Sequence, residues 1–205
     1  MKRKGLFIPV LILLMTGCAG GQPPVNTQYY MLDYNPPDIK ETFRLDESLK
    51  VERFSVVQFY NSNSMMFRTS SIGLDKFPYD RWGTSPGYMV ADYLVRDLRQ
   101  NGLFRAIFSY QDTEAVRFLL EGNITEFLAV DRQDGRKALL TIYVTLLDLN
   151  QTDSAKQVIF QKSYTHAAPC KENSAQGLAM GVSESLERLS GQIINDVYQA
   201  VKSRS

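Results

Sequence analysis

The C-terminal segment constrains the fold more than any other part of the sequence. Leu178, Val182, Leu186, Leu189, Ile193, Val197 and Val201 recur at spacings of three and four between about Ser174 and Lys202. That period predicts one helix with a single apolar stripe. A helix of about seven or eight turns with one apolar stripe draws most of its stability from packing that stripe against something else. The preceding residues supply a partner. Arg117 to Val130, Leu139 to Leu149 and Lys156 to His166 read as three long strands, joined by polar turns at Asp131–Lys137 and Gln151–Ala155. In the middle strand Leu140, Ile142, Val144 and Leu146 face one way, and Thr141, Tyr143, Thr145 and Leu147 the other. In the first, Leu120, Gly122 and Ile124 share a face, and Gly122 marks a bulge or a close backbone approach. The three strands form an antiparallel meander. The long helix lies across it, or turns part of its stripe to oligomer contacts.

Upstream, Tyr29 to Tyr34 reads as a first strand, ended by Asn35-Pro36-Pro37-Asp38. Leu49 to Tyr60 reads as a second, with both faces partly covered. Short extended pieces follow at Met65–Arg68 and Leu74–Tyr79. Ser85-Pro86 has the grammar of a helix start, and Asn101-Gly102 that of a stop. Ala91, Leu94, Val95 and Leu98 fall on one face between them. Phe104 to Tyr110 reads as a strand. The pattern as a whole predicts an α+β fold in a single domain: a mixed, largely antiparallel sheet with two main helices packed on it, the longer one C-terminal.

The opening residues say where such a body sits. Lys2, Arg3 and Lys4 precede an apolar run from Gly5 to Met15, which closes on Thr16-Gly17-Cys18. This is the layout of a secretory signal peptide over residues 1–17, too short to span a bilayer comfortably. The cysteine in that position resembles a bacterial lipobox, with Met15 where Leu is preferred. The resemblance implies that Cys18 is lipidated and becomes the mature N-terminus. One acyl chain holds a protein only marginally, whereas a bacterial lipoprotein carries three. Ala19, in place of the Asp that marks inner-membrane retention in enteric bacteria, implies the outer membrane, facing the periplasm. Gly20, Gly21, Pro23 and Pro24 make residues 18–28 a tether, and 29–205 form the folded domain.

Cleavage at Cys18 removes three basic residues and takes the formal charge from +1 to −2. That argues against a nucleic-acid partner and against a polybasic membrane face. Cys170 is left without an intramolecular disulfide partner, as a free thiol. A Gly-rich phosphate loop and a GxSxG elbow are both missing. A single histidine, His166, and one spare cysteine do not make a usual zinc site, and His166 reads as structural. No residue is nominated as catalytic or metal-binding, and the chain reads as a non-enzyme without a cofactor beyond the lipid on Cys18.

One segment stands out. Phe67-Arg68, then Phe77-Pro78-Tyr79-Asp80-Arg81-Trp82-Gly83, then Ser85-Pro86 gather aromatics, an arginine and the one tryptophan of the chain ahead of a helix. Contact surfaces favour such residues, which makes Phe77, Tyr79, Arg81 and Trp82 candidates for partner binding. The same residues can equally fasten the segment to its own core.

These residues also carry a family resemblance. A lipobox at Cys18, Tyr29-Tyr30-Met31-Leu32, a strand at Val51–Tyr60, Met66-Phe67-Arg68 and Tyr79-Asp80-Arg81-Trp82-Gly83 before Pro86 come in the order of the ABC-type transport auxiliary lipoproteins. That group includes the lipoprotein of the paraquat-inducible (Pqi) system. Gly83 stands where Ala is common, and Pro86 is single where two prolines are usual. The resemblance implies a non-enzymatic component of an ABC transporter or of an assembly carrying mammalian-cell-entry (MCE) domains. Such assemblies move phospholipids or other hydrophobic molecules between membranes, and the lipoprotein anchors or receives them at the outer membrane. Its expected partners are an MCE-domain protein or an ABC permease, the membrane through the lipid, a phospholipid, and a second copy of the chain. Two alternatives stand beside this: an envelope scaffold without a transport role, and a direct lipid carrier with its own apolar groove.

Overall fold

The computed structural model describes residues 26–204. The signal peptide, Cys18 and most of the tether lie outside the described residues. The elements are β1 (Gln28–Tyr30), β2 (Leu45–Val51), β3 (Ser55–Val56), β4 (Ser64–Arg68), β5 (Asp75–Trp82), α1 (Pro86–Asn101), β6 (Phe104–Phe108), β7 (Phe118–Arg132), β8 (Gly135–Asp148), α2 (Ser154–Gln157), β9 (Val158–Pro169) and α3 (Ala175–Lys202). They make one α+β domain: a curled, mixed sheet of nine strands with α1 and α3 side by side on one face.

The expected meander is present and longer than the sequence pattern suggested. β8 pairs antiparallel with β7 from Phe118↔Asp148 to Arg132↔Gly135, and with β9 on its other side. Leu140, Ile142, Val144 and Leu146 all point into the core, beneath the helices. Leu120 and Ile124 of β7 do the same, but Thr125 is an extra residue between the pairs Ile124↔Ile142 and Glu126↔Thr141. This bulge switches the inward face from even to odd positions, so Phe127 and Ala129 carry the core onward. The simple alternation expected for this strand therefore stops at Ile124.

The helices follow their sequence signals. Ser174 caps α3, its Oγ accepting from the Gly177 N–H at 3.0 Å. Every residue of the predicted stripe is buried. Ser85 precedes α1 with extended backbone, and Pro86 opens the helix. Gly102, at φ 64°, ends it in the left-handed conformation.

The other edge of β7 departs from expectation. The predicted Leu49–Tyr60 strand is broken in two. β2 pairs with β7 at Leu49↔Phe118, β3 at Ser55↔Asn123, and β4 at Met66↔Leu128, all parallel. Three short strands thus share one edge, and the sheet forks there. One branch continues from β2 to β6, the other from β4 through β5 to β1. Phe54 causes the break: it turns into the core between β2 and β3 and is fully buried.

The predicted first strand is also shorter, ending at Tyr30. From Met31 the chain leaves the sheet and crosses the helices as an extended strap. Side chains hold it in place. Tyr93 of α1 donates its hydroxyl to the Leu32 carbonyl. Ser183 of α3 accepts from the Asp33 N–H at 3.0 Å. Asn101 donates to the Pro37 carbonyl at 3.0 Å and accepts from the Ile39 N–H at 3.1 Å. No helix among the described residues is long and apolar enough to cross a membrane.

Candidate contact surface

The candidate residues sit in β5, whose ladder with β4 is irregular. Ser64 faces Arg81 and Met66 faces Lys76, so two steps on β4 oppose five on β5. Residues 77–80 therefore bulge outward. Arg81 fills the bulge, donating to the carbonyls of Phe77 at 3.0 Å, Asp80 at 2.8 Å and Pro78 at 3.1 Å. It shapes its own strand rather than pairing with the Asp80 carboxylate. Phe77 packs on Phe67 with ring centroids 4.9 Å apart. Tyr79 remains 52% exposed at the crest.

Trp82 is different. It is 0% exposed and meets Phe127 edge-on at 5.1 Å. The Trp82 backbone N–H donates to the Asn63 carbonyl at 2.7 Å, and the ring points inward. The expectation that Trp82 binds a partner is corrected: a ring inside the core cannot touch one. Its neighbours remain available, with Tyr79 the most exposed. The core-fastening reading holds for Trp82, while Tyr79 stays on the surface.

The fork has a surface of its own. A Cβ on Gly122 would lie 2.3 Å from the Phe54 ring, and one on Gly87 would lie 2.2 Å from the Phe54 carbonyl oxygen. Gly122 thus marks a close approach, while the bulge falls three residues later. Outside the fork lies an open depression of about 470 Å³, lined by Glu52, Arg53, Ser55, Glu121, Asn123 and Tyr143 among others. A second depression, of about 620 Å³, lies between the strap and α3 and includes Met31, Tyr34, Met180 and Glu187. Their linings mix charged and apolar side chains, which does not suit an acyl chain.

The buried carboxylates are structural. Asp97 is fully buried and accepts from Tyr34 at 2.8 Å, Ser190 at 2.6 Å and Arg96 Nε at 2.9 Å. It ties strap, α1 and α3 together. Burial, with the Asp97 charge next to it, pushes the Tyr34 hydroxyl far above its usual range. At the opposite end Arg117 grips buried Asp148 through two bonds of 3.1 and 3.0 Å and reaches Glu47 at 3.0 Å. The Arg117 bonds hold the Asp148 carboxyl below the usual range. Carboxylates saturated with donors in this way are not free to act as general bases.

His166 pairs across the sheet with Leu140 and lies 3.2 Å from the Ser185 hydroxyl. Burial and Arg188 lower its pKa. Burial pushes the Cys170 thiol up to about 11, away from reactivity. Among the described residues no three potential metal ligands gather. Sequence reasoning missed the strap contacts and Asp97, because they join residues more than 60 positions apart. The one available signal was the tyrosine-rich run before Pro36.

Comparison with known proteins places this geometry. No curated protein matches the sequence. Several solved structures share the fold. A protein from Xanthomonas campestris matches at 14% identity with a TM-score of 0.78, covering 87% of this chain and 98% of its own. An uncharacterised protein matches at 14% identity and a TM-score of 0.66, covering 84% and 99%. A protein from Chlamydia trachomatis matches at 9% identity and a TM-score of 0.52, covering 77% and 98%. These likenesses show the fold alone. Residues 30–194, nearly the whole folded body, match the family described as ABC-type transport auxiliary lipoprotein component. The chain belongs to that family, which is a transport auxiliary rather than a known enzyme family.

Proposed function

We propose that this auxiliary lipoprotein is held by a lipid on Cys18 at the outer membrane, facing the periplasm. There it docks an intermembrane lipid-transport assembly, with an MCE-domain protein or an ABC permease as partner. The family match over residues 30–194 carries this reading. The lipobox-like ending at Cys18, the tether and the Tyr79 crest support it. The open, mixed charged and apolar lining of these two depressions favours docking over lipid carriage.

The test has two arms. Cys18→Ala should leave the fold intact and move the protein out of the membrane fraction. Retention of that variant in membranes would remove the anchor. A photo-crosslinking residue at Tyr79, introduced in cells, should capture an MCE-domain protein or a permease. Capture of envelope proteins of neither kind would favour the scaffold reading.

A further inference from the structure

The β4–β5 hairpin tip, residues 69–74, presents Ile72 at 95% exposure and Leu74 at 36%. The tip is shaped: Ser70 Oγ accepts from the Gly73 N–H at 2.9 Å, closing a turn that points Ile72 outward. The topology gives this tip a defined position. β4 runs parallel to β7, so the β4–β5 and β7–β8 turns lie at the same end of the molecule. β1 runs parallel to β5, with Gln28 beside Asp80. β1 therefore enters the sheet from that same end. Ten positions separate Cys18 from Gln28, a reach of about 35 Å at most.

We infer that the hairpin tip is a membrane-contact element, with Ile72 and Leu74 seated in the surface of the bilayer that holds the Cys18 lipid. The inference rests on the reading of Cys18 as lipidated. The occupant follows from size and placement. Two apolar side chains on a tight turn fall far short of the roughly 800 Å² per partner that a stable protein interface buries. They suffice to orient a body already tethered beside the bilayer, because the tether supplies a high effective concentration. Charge is not the driving force. At this end Lys76, Arg132 and Lys171 are exposed and in no ion pair among the described residues, but Asp75 and Glu172 lie beside them. The contact is thus expected to be apolar and insensitive to added salt.

The test uses the full lipidated protein in phosphatidylethanolamine–phosphatidylglycerol vesicles containing brominated lipid. Ile72→Trp places a reporter at the tip. Phe59→Trp places one at an exposed position before the opposite end of β4. Native Trp82, inside the core, is the internal reference. The Ile72→Trp emission should fall by about half, since interfacial residues sit within reach of the acyl boundary, while the Phe59→Trp emission stays unchanged. A second measurement is independent of tryptophan. Vesicles should slow amide hydrogen exchange at residues 70–75 in the wild type, and not in Ile72→Ser/Leu74→Ser. Equal quenching at both reporters, or no slowing in the wild type, would overturn the inference even though the protein floats with the vesicles. An unacylated Cys18 by mass spectrometry, with wild-type protein left in solution, would overturn the anchor and this contact together. That result is distinct from a failure of the tip alone.

Discussion

The two edges of β7 are built on different terms. Along one, β8 follows it almost residue for residue, interrupted only at Thr125. The partner is supplied by a tight turn, so the pairing is local in sequence. Along the other, β2, β3 and β4 each hold two or three pairs, single backbone bonds from the Glu52 and Val57 N–H groups to the Leu120 and Ile124 carbonyls extend them, and Phe54 fills the break between β2 and β3. One edge is a nearly continuous backbone ladder and the other a broken one. The broken edge is the one that carries the sheet's fork, the Phe54 contacts and the branch ending in β5 and β1.

That contrast predicts where the molecule breaks. Phe54→Ala should have the largest effect, about 3–5 kcal/mol, because it empties a fully buried site at the fork. Urea unfolding measures it; a loss below about 1 kcal/mol would mean the fork does not depend on this ring. Trp82→Ala should cost a similar amount, and Trp82→Phe much less, since the indole N–H has no acceptor among the described residues to lose.

Next comes the Arg117 clamp, a polar device that bridges both edges, reaching Asp148 in β8 and Glu47 in β2. Asp148→Ala should cost about 2 kcal/mol, by removing two charge-assisted bonds while Glu47 still holds Arg117. The depressed Asp148 pKa fixes the sign with pH. Its contribution is complete above the unfolded carboxyl value, near 4, and fades as pH falls below that towards the lower folded value. Tyr34 works in the opposite direction. Its raised pKa means that stability is lost as pH climbs past about 10, where the unfolded chain ionises and the folded one does not. Thermal melts across pH 2–11 should show both limbs, and Asp148→Ala should flatten the acid one.

Gly122→Ala should cost about 1–3 kcal/mol, through collision with the Phe54 ring. The smallest effect should come from the hairpin edge. Gly135 has φ 110° but open space around its Cβ position, so Gly135→Ala meets backbone strain alone, about 1 kcal/mol. If Gly135→Ala proved costlier than Gly122→Ala, the ranking of the two edges would be reversed.

The same contrast explains what the sequence could disclose. The α3 stripe, the inward face of β8, the proline start of α1 at Pro86 and its stop at Gly102 are local patterns, and each is present as read, whereas Ser85 makes no side-chain capping bond. Leu49–Tyr60 was readable as extended but not as two strands, because the break depends on Phe54 meeting Gly122, far along the chain. The β7 face reading held to Ile124 and failed beyond it, since one inserted residue reverses the alternation. At the candidate surface the aromatic segment was visible, but not which ring turns inward. Trp82 and Tyr79 differ in strand geometry, not in residue type.

The strap has a mechanical consequence. A load arriving from the N-terminal side meets β1 first, which holds only three register positions at a sheet edge. Releasing it lengthens the tether by about 10 Å and leaves the core untouched. The next resistance is the row of side-chain bonds from Tyr93, Ser183, Tyr34 and Asn101. These pull on α1 and α3 together rather than on a single strand. The fold thus combines a short yielding segment with a fixed stop. On the proposed function, a body tethered to one membrane and gripping an assembly from another would absorb small changes in their separation before any force reached the sheet.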